Sequence, residues 1–252
     1  MTRAAPQAVV FSGYGINAEV ELAHALSRVG ARVDIVHIAD VVRRPQLLDV
    51  CRIVGFPGGF SFGDHLGSGK VLATMVRAGL RPALQALVQR GGLVIGICNG
   101  FQVLVKAGML PNLDGCWTPQ VSLIHNHSGR FYNGWVSCRV DQGASSAWLR
   151  GMENIELPVR HGEGRFVFAN QAVREQLQAA GCVALRYRGC NPNGSEDDVA
   201  GICDPTGRVL GLMPHPEAYC SRLQHPQWTR GQDSEPTGLT IMRNGVQFAA
   251  DL

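Results

Sequence analysis

Short, unbroken apolar runs alternate along the first half of this chain with stretches whose apolar positions recur three and four residues apart. Residues 8–11, 33–38, 50–56 and 93–97 read as strands. Residues 17–29, 70–90 and 100–107 read as helical, the first with Asn17 as N-cap, Glu19 and Glu21 in its opening turn and Gly30 as its stop. Continuous apolar strands joined through helices by short connections predict a parallel sheet flanked by helices on both faces. After Pro111 the texture changes. Residues 121–124, 131–140, 155–159 and 182–188 read as strands, with a helix at 171–180 between the last two. Segments 201–204 and 209–213 predict a hairpin around Pro205-Thr206-Gly207, which delivers Pro214-His215-Pro216-Glu217 to a strand end. A polar, irregular stretch spans 225–235 and a last helix 238–250. The expected fold is therefore α/β, a mostly parallel central sheet with added antiparallel strands. No repeat or linker interrupts residues 1–252, so a single domain is expected.

The segment around which this pattern turns is Gly96-Ile97-Cys98-Asn99-Gly100, where a strand meets a helix. It fits a G-x-C-x-G nucleophile elbow: side chains two residues before or after the nucleophile would collide with the turn that holds the reactive atom out. A helix N-terminus also favours the thiolate, the nucleophilic form of cysteine. Cys98 is thus the candidate nucleophile. His215 and Glu217 form H-x-E, with proline on both sides of the histidine favouring extended backbone and side chains that point the same way. A carboxylate beside one ring nitrogen fixes the tautomer and leaves the other nitrogen to face a thiol. Pro57-Gly58-Gly59, just past a strand, can turn a backbone N–H toward a tetrahedral oxyanion, with Asn99 N–H as the second donor.

Other motifs weigh less. Ser12-Gly13-Tyr14-Gly15-Ile16-Asn17-Ala18 mimics a dinucleotide fingerprint, but Asp34 stands inside a strand where the ribose-binding acid should stand at its end. Residues 63–71 have one residue too many before Gly69-Lys70, and Val71 in place of a magnesium-binding hydroxyl, so they are no phosphate loop. The loops 126–131 and 161–165 suit either ordinary turns or recognition of an amino acid's charged ends or a partner surface.

Composition narrows the remaining choices. The net charge is +3, from 23 basic and 20 acidic residues, with no basic cluster, so no nucleic-acid track is expected. No apolar run approaches the roughly 20 residues that span a bilayer, and no signal-peptide pattern opens the chain; no membrane association and a cytoplasmic location are expected. The eight cysteines read as reduced thiols, four of them (Cys51, Cys138, Cys182, Cys203) in strand-like segments. No C-x-x-C occurs, and Cys203, His215, Cys220 and His225 lack ligand spacing, so no metal is expected.

With these pieces in place, the chain resembles the class I, triad-type glutamine amidotransferases, and among them the glutaminase subunits of phosphoribosylformylglycinamidine synthases. The resemblance rests on residues 57–64, Gly96-Ile97-Cys98-Asn99-Gly100-Phe101-Gln102, Ser128-Gly129-Arg130-Phe131, His161-Gly162-Glu163-Gly164-Arg165, Asn191-Pro192-Asn193-Gly194-Ser195 and residues 211–217. Ala18 and His127 depart from the pattern, at positions outside the triad. The resemblance implies a flavodoxin-like class I amidotransferase fold and hydrolysis of L-glutamine through a Cys98 thioester, with His215 and Glu217 completing the triad and Gly59 and Asn99 the oxyanion hole. It also implies that Gln102, His161, Gly162 and Glu163 lie near the bound glutamine. No cofactor is expected in this chain. ATP and magnesium are expected on a separate large synthetase subunit that consumes the ammonia, accompanied by a small third subunit. An amidotransferase serving another synthetase, or a catalytically silent flavodoxin-like binding protein, are the competing readings.

Overall fold

A computed structural model describes residues 4–230 and 235–252; residues 231–234 of the polar stretch expected at 225–235 lie outside the described residues. The chain opens with strand β1 (Gln7–Ser12), helix α1 (Glu19–Arg28), strand β2 (Arg32–His37) and a short helix α2 (Ile38–Arg43). Strand β3 (Ile53–Phe56) leads through a glycine-rich loop to helices α3 (Lys70–Gly79) and α4 (Arg81–Gln89), and β4 (Leu93–Ile97) runs into α5 (Asn99–Ala107). Then come β5 (Val121–Ile124), β6 (Tyr132–Val140), β7 (Asn154–His161), β8 (Arg165–Phe168), α6 (Gln171–Ala179), β9 (Val183–Arg188), β10 (Val199–Cys203), β11 (Val209–Leu212) and α7 (Thr237–Ala250).

Nine strands form one sheet in the order β2-β1-β3-β4-β11-β10-β9-β6-β7. The first five are mutually parallel, and every later pairing is antiparallel. This is the expected sheet, mostly parallel at its centre and extended by antiparallel strands. β5 and β8 pair separately as a two-stranded antiparallel sheet. Strands β3, β4, β10 and β11 are buried at every position, which is why they read as unbroken apolar runs. Helix α1 packs against α7, while α3 packs against α2, α4 and α5.

Local chemistry accounts for the differences from expectation. Asn17 does not cap α1: the helix starts one residue later than expected of that cap, behind Ala18, without a side-chain cap bond. The helical stretch across 70–90 breaks at Leu80, and Pro82 sits in the first turn of α4, where its missing N–H costs nothing. Helices α3 and α4 therefore bend by 73°, and among the described residues no single helix is long and apolar enough to cross a membrane. Cys51 precedes β3 rather than lying in it, and all eight cysteines are free.

The register of three neighbouring strands creates the functional edge. Gly96 of β4 pairs with Phe56 of β3 and Gly211 of β11, and Ile97 pairs with Leu212. One step on, Cys98 N–H donates to the Leu212 carbonyl at 2.9 Å. The segments leaving β3, β4 and β11 therefore emerge side by side, and His215 N–H donates to Pro158 O of β7 at 2.8 Å. Parallel sheets place ligand sites at such carboxyl-terminal strand ends.

Gly100 is what lets α5 turn back onto β3. A Cβ there would lie 1.9 Å from the Phe56 carbonyl oxygen, a backbone atom that cannot swing aside. Gly100→Ala is expected to lower stability by about 2 kcal/mol or more, read as a drop in the urea unfolding midpoint at constant m. A midpoint unchanged from the parent would contradict that packing.

Candidate active site

Cys98 sits between β4 and α5 with φ +52° and ψ −106°, a conformation that few non-glycine residues adopt. Such strain persists only where the surroundings enforce it. Here they do: a Cβ on Gly96 would meet Leu104 Cδ1 at 2.5 Å, and Gly100 has no room either. The elbow expected from G-x-C-x-G is present, with Cys98, 7% exposed, at the wall of a cavity of about 300 Å³. Its sulfur lies 3.8 Å from the Arg160 carbonyl oxygen.

His215 reaches the same cavity from the segment after β11. Its Nδ1 is 2.6 Å from Glu217 Oε1, so the carboxylate fixes Nδ1–H and leaves Nε2 for the cavity side. Nε2 is buried and has no hydrogen-bond partner. The pairing is achieved differently from expectation. The backbone at His215 (φ −105°, ψ 87°) enters a 3-10 turn over Pro216–Ala218, and this turn, rather than an extended strand, folds the carboxylate under the ring. Burial disfavours the His215 cation, but the Glu217 carboxylate and the Cys98 sulfur more than offset it and push its pKa up to about 10. Arg160 Nη2 stands 4.0 Å from Glu217 Oε1 and 2.5 Å from Glu21 Oε2. The chain's primary pattern contains no signal for that bridge.

Gly59 lines the cavity with φ +152°, and a Cβ there would lie 2.6 Å from the Gly15 carbonyl oxygen. The glycine turn after β1 is what holds it: Phe60 N–H donates to Gly15 O at 2.9 Å and Asn17 N–H to Gly58 O at 3.2 Å. The dinucleotide-like motif thus buttresses the Gly58-Gly59 turn, and Asp34 sits mid-strand opposite Val9, bonded to Gln7. The side chain of Asn99 turns away from the cavity, accepting from Ser61 N–H at 3.2 Å and donating to Gln102 Oε1 at 3.0 Å. Its backbone N–H belongs to the first turn of α5, where helix N–H groups have no partner within the helix.

Of the remaining expected residues, His161 ends β7, Gly162 and Glu163 follow in the loop to β8, and Gln102 lies on α5. His161, Gly162 and Glu163 line the cavity together with Gln102, Asn17, Asp64 and Ser68. Both polar ends of Gln102 are engaged within the protein, since its Nε2 also donates to the Glu163 carbonyl. Gln102 therefore fixes the loop. Glu163 Oε2 accepts from Ser68 N–H at 3.3 Å, and Lys106 donates to the Ser68 carbonyl. Burial holds the Asp64 carboxyl above its ordinary pKa and Lys106 below its own.

The polar loop 126–131, which the sequence left as a turn or a recognition segment, and the segment 191–195 both support this one. Asn193 Nδ2 donates to the Gly164 carbonyl at 2.8 Å, and Ser195 Oγ accepts from Phe166 N–H at 2.9 Å. Asn126 Oδ1 accepts from Gly164 N–H at 3.1 Å. Among the described residues no group of three or more His, Cys, Asp or Glu side chains is arranged to hold a metal ion.

A family model of CobB/CobQ-like glutamine amidotransferase domains matches residues 5–249. The chain is similar to the phosphoribosylformylglycinamidine synthase subunit PurQ of Dehalococcoides mccartyi, 38% identical over 93% of this chain and 94% of the relative. It is similar to the protein of the same name from Methanococcus maripaludis, strain S2, 34% identical over 98% and 99%. Among solved structures, a chain of PurLQS from Thermotoga maritima superposes with a TM-score of 0.75 at 29% identity, covering 97% of this chain and 99% of that one.

The His215 environment makes a titration prediction. A folded-state pKa near 10, against an ordinary 6.5, means that the stabilising contribution is fully present below 6.5 and is lost as pH rises through about 10. Glu217→Gln removes the carboxylate charge that holds the proton, so the NMR-detected His215 titration should move to lower pH. A titration unmoved by that substitution would contradict the pairing.

Proposed function

The chain belongs to the CobB/CobQ-like glutamine amidotransferase family, and from that premise we propose that it is the glutaminase subunit of a phosphoribosylformylglycinamidine synthase. It hydrolyses L-glutamine and passes the ammonia to a separate synthetase subunit, which aminates formylglycinamide ribonucleotide in purine biosynthesis. One observation carries the chemistry: a cysteine held at positive φ on a strand-to-helix elbow shares a cavity with a histidine whose far nitrogen is bound to a buried carboxylate. The names and full-length coverage of the relatives support the choice of pathway.

In this reading Cys98 sulfur attacks the carboxamide carbon of glutamine, and the displaced π pair gathers on oxygen between the N–H groups of Gly59 and Asn99. His215 donates its Nε2 proton to the nitrogen as the C–N bond breaks, leaving a γ-glutamyl thioester and ammonia. The neutral imidazole then takes a proton from water. The hydroxide oxygen attacks the thioester carbon, the C–S bond breaks, and glutamate leaves with the thiolate restored. Glu217 stabilises the imidazolium at each stage. His161, Gly162 and Glu163 form the wall against which the amino acid lies. ATP and magnesium act at the synthetase partner, and a small third subunit completes the complex.

Replacing Cys98 by Ala separates the two half-reactions. In the complex with the synthetase subunit, glutamine-dependent amidine formation should fall roughly a thousandfold or more, while ammonia-dependent formation stays at the parental rate. Glutamine use retained by the variant would refute the reading.

A further inference from the structure

His161 is 3% exposed, lines the cavity beside Cys98 and His215, and has one ring nitrogen with no partner. Its protonation pattern is set by Asn126. The Asn126 Nδ2 group donates to the carbonyls of Arg130 and His161, both at 2.9 Å, so Oδ1 is its acceptor end. That oxygen receives Gly164 N–H at 3.1 Å and stands 3.1 Å from His161 Nδ1. Nδ1 therefore carries the proton, and Nε2 is a buried lone pair that nothing in the protein satisfies. A buried acceptor without a donor is destabilising, so a bound ligand that brings a donor relieves that penalty. The ring cannot turn aside easily. A Cβ on Gly164 would already lie 2.4 Å from His161 Cε1, so the ring rests directly on the Gly164 backbone.

We propose that His161 Nε2 accepts a hydrogen bond from the carboxamide N–H of bound glutamine and so orients the leaving nitrogen. The inference rests on the glutaminase reading. The reacting end is the end of the ligand that His161 meets, because Arg160, its chain neighbour, presents its carbonyl 3.8 Å from the Cys98 sulfur. The His215 charge also bears on the ring: burial first, and then that cation, hold the His161 pKa down to about 4. The ring is thus neutral at physiological pH, and its lone pair remains available.

The geometry has a chemical consequence. As sulfur adds to the carbonyl carbon, the amide nitrogen loses its conjugation and becomes pyramidal. Fixing one N–H on His161 aims the new nitrogen lone pair at His215, whose proton it takes as the C–N electrons depart. His161 itself exchanges no proton. The bond strengthens as the nitrogen gains positive charge, so it is worth more in the transition state than in the ground state.

The test compares two substrates on the full chain in the presence of its synthetase subunit. Glutamine has the N–H; the γ-methyl ester of glutamate has the same α-amino and α-carboxylate groups but an oxygen leaving group without N–H. In His161→Phe, the ratio of kcat/KM for glutamine to that for the ester should fall roughly tenfold to a hundredfold. His161→Gln, which restores an acceptor, should recover part of it. An unchanged ratio, whether both activities fall together or neither falls, overturns the assignment; a common fall would mean that His161 holds the α-amino end or only shapes the cavity. Failure of the parent protein to turn over either substrate would instead count against the glutaminase reading itself.

Discussion

The hydrogen bond from Cys98 N–H to the Leu212 carbonyl, the last rung between β4 and β11, is the constraint on which the rest of the site depends. Two segments far apart in sequence must leave the sheet at the same edge and at the same level for a thiol and an imidazole to share one cavity. Parallel pairing does this through backbone geometry alone, because both strands point their carboxyl ends the same way. β3, paired on the other side of β4, adds the Gly58-Gly59 turn to the same edge. A slip of one residue in the β4–β11 register would turn every side chain on one strand to the opposite face. Full burial of both strands makes such a slip costly.

Function imposes strain on this frame, and the frame compensates nearby. Cys98, Phe62 and Asp64 all hold positive φ without being glycine, and Gly59 stands at +152°. The offset comes from polar groups that close on one another. Asn126 satisfies two carbonyls and an N–H, while Asn193 and Ser195 satisfy Gly164 and Phe166. These buried amides and hydroxyls make the 161–165 loop a rigid wall. Against that background, Nε2 of His161 and Nε2 of His215 stand out as buried ring nitrogens without a partner.

The parts of this arrangement that the sequence disclosed are those governed by local rules. Apolar runs located the central strands because strands buried on both faces have no polar alternation to hide. The glycines two residues on either side of Cys98 announced the elbow because no other residue fits that turn. His215 and Glu217 were legible as a pair because they are two residues apart, although a 3-10 turn unites them. What stayed hidden depends on distant partners. Helix α2 was concealed by Ile38, which extends the β2 apolar run before the chain coils. Strand β8, four residues long, has its meaning only beside β5. The Glu21–Arg160–Glu217 bridge joins α1, β7 and the turn after β11, and no spacing within the chain foretells it. Asn17 looked like a cap and is instead a cavity residue, because the turn it ends is drawn onto Gly58.

The central claim is that Cys98 becomes acylated by the substrate. Acid-quenched mass spectrometry of the full chain during glutamine turnover, followed by peptide mapping, tests it most directly. A γ-glutamyl adduct on the peptide containing Cys98, appearing and decaying with turnover, is the predicted result. Steady glutamate release with no adduct on Cys98, or with the adduct on another residue, would contradict the account.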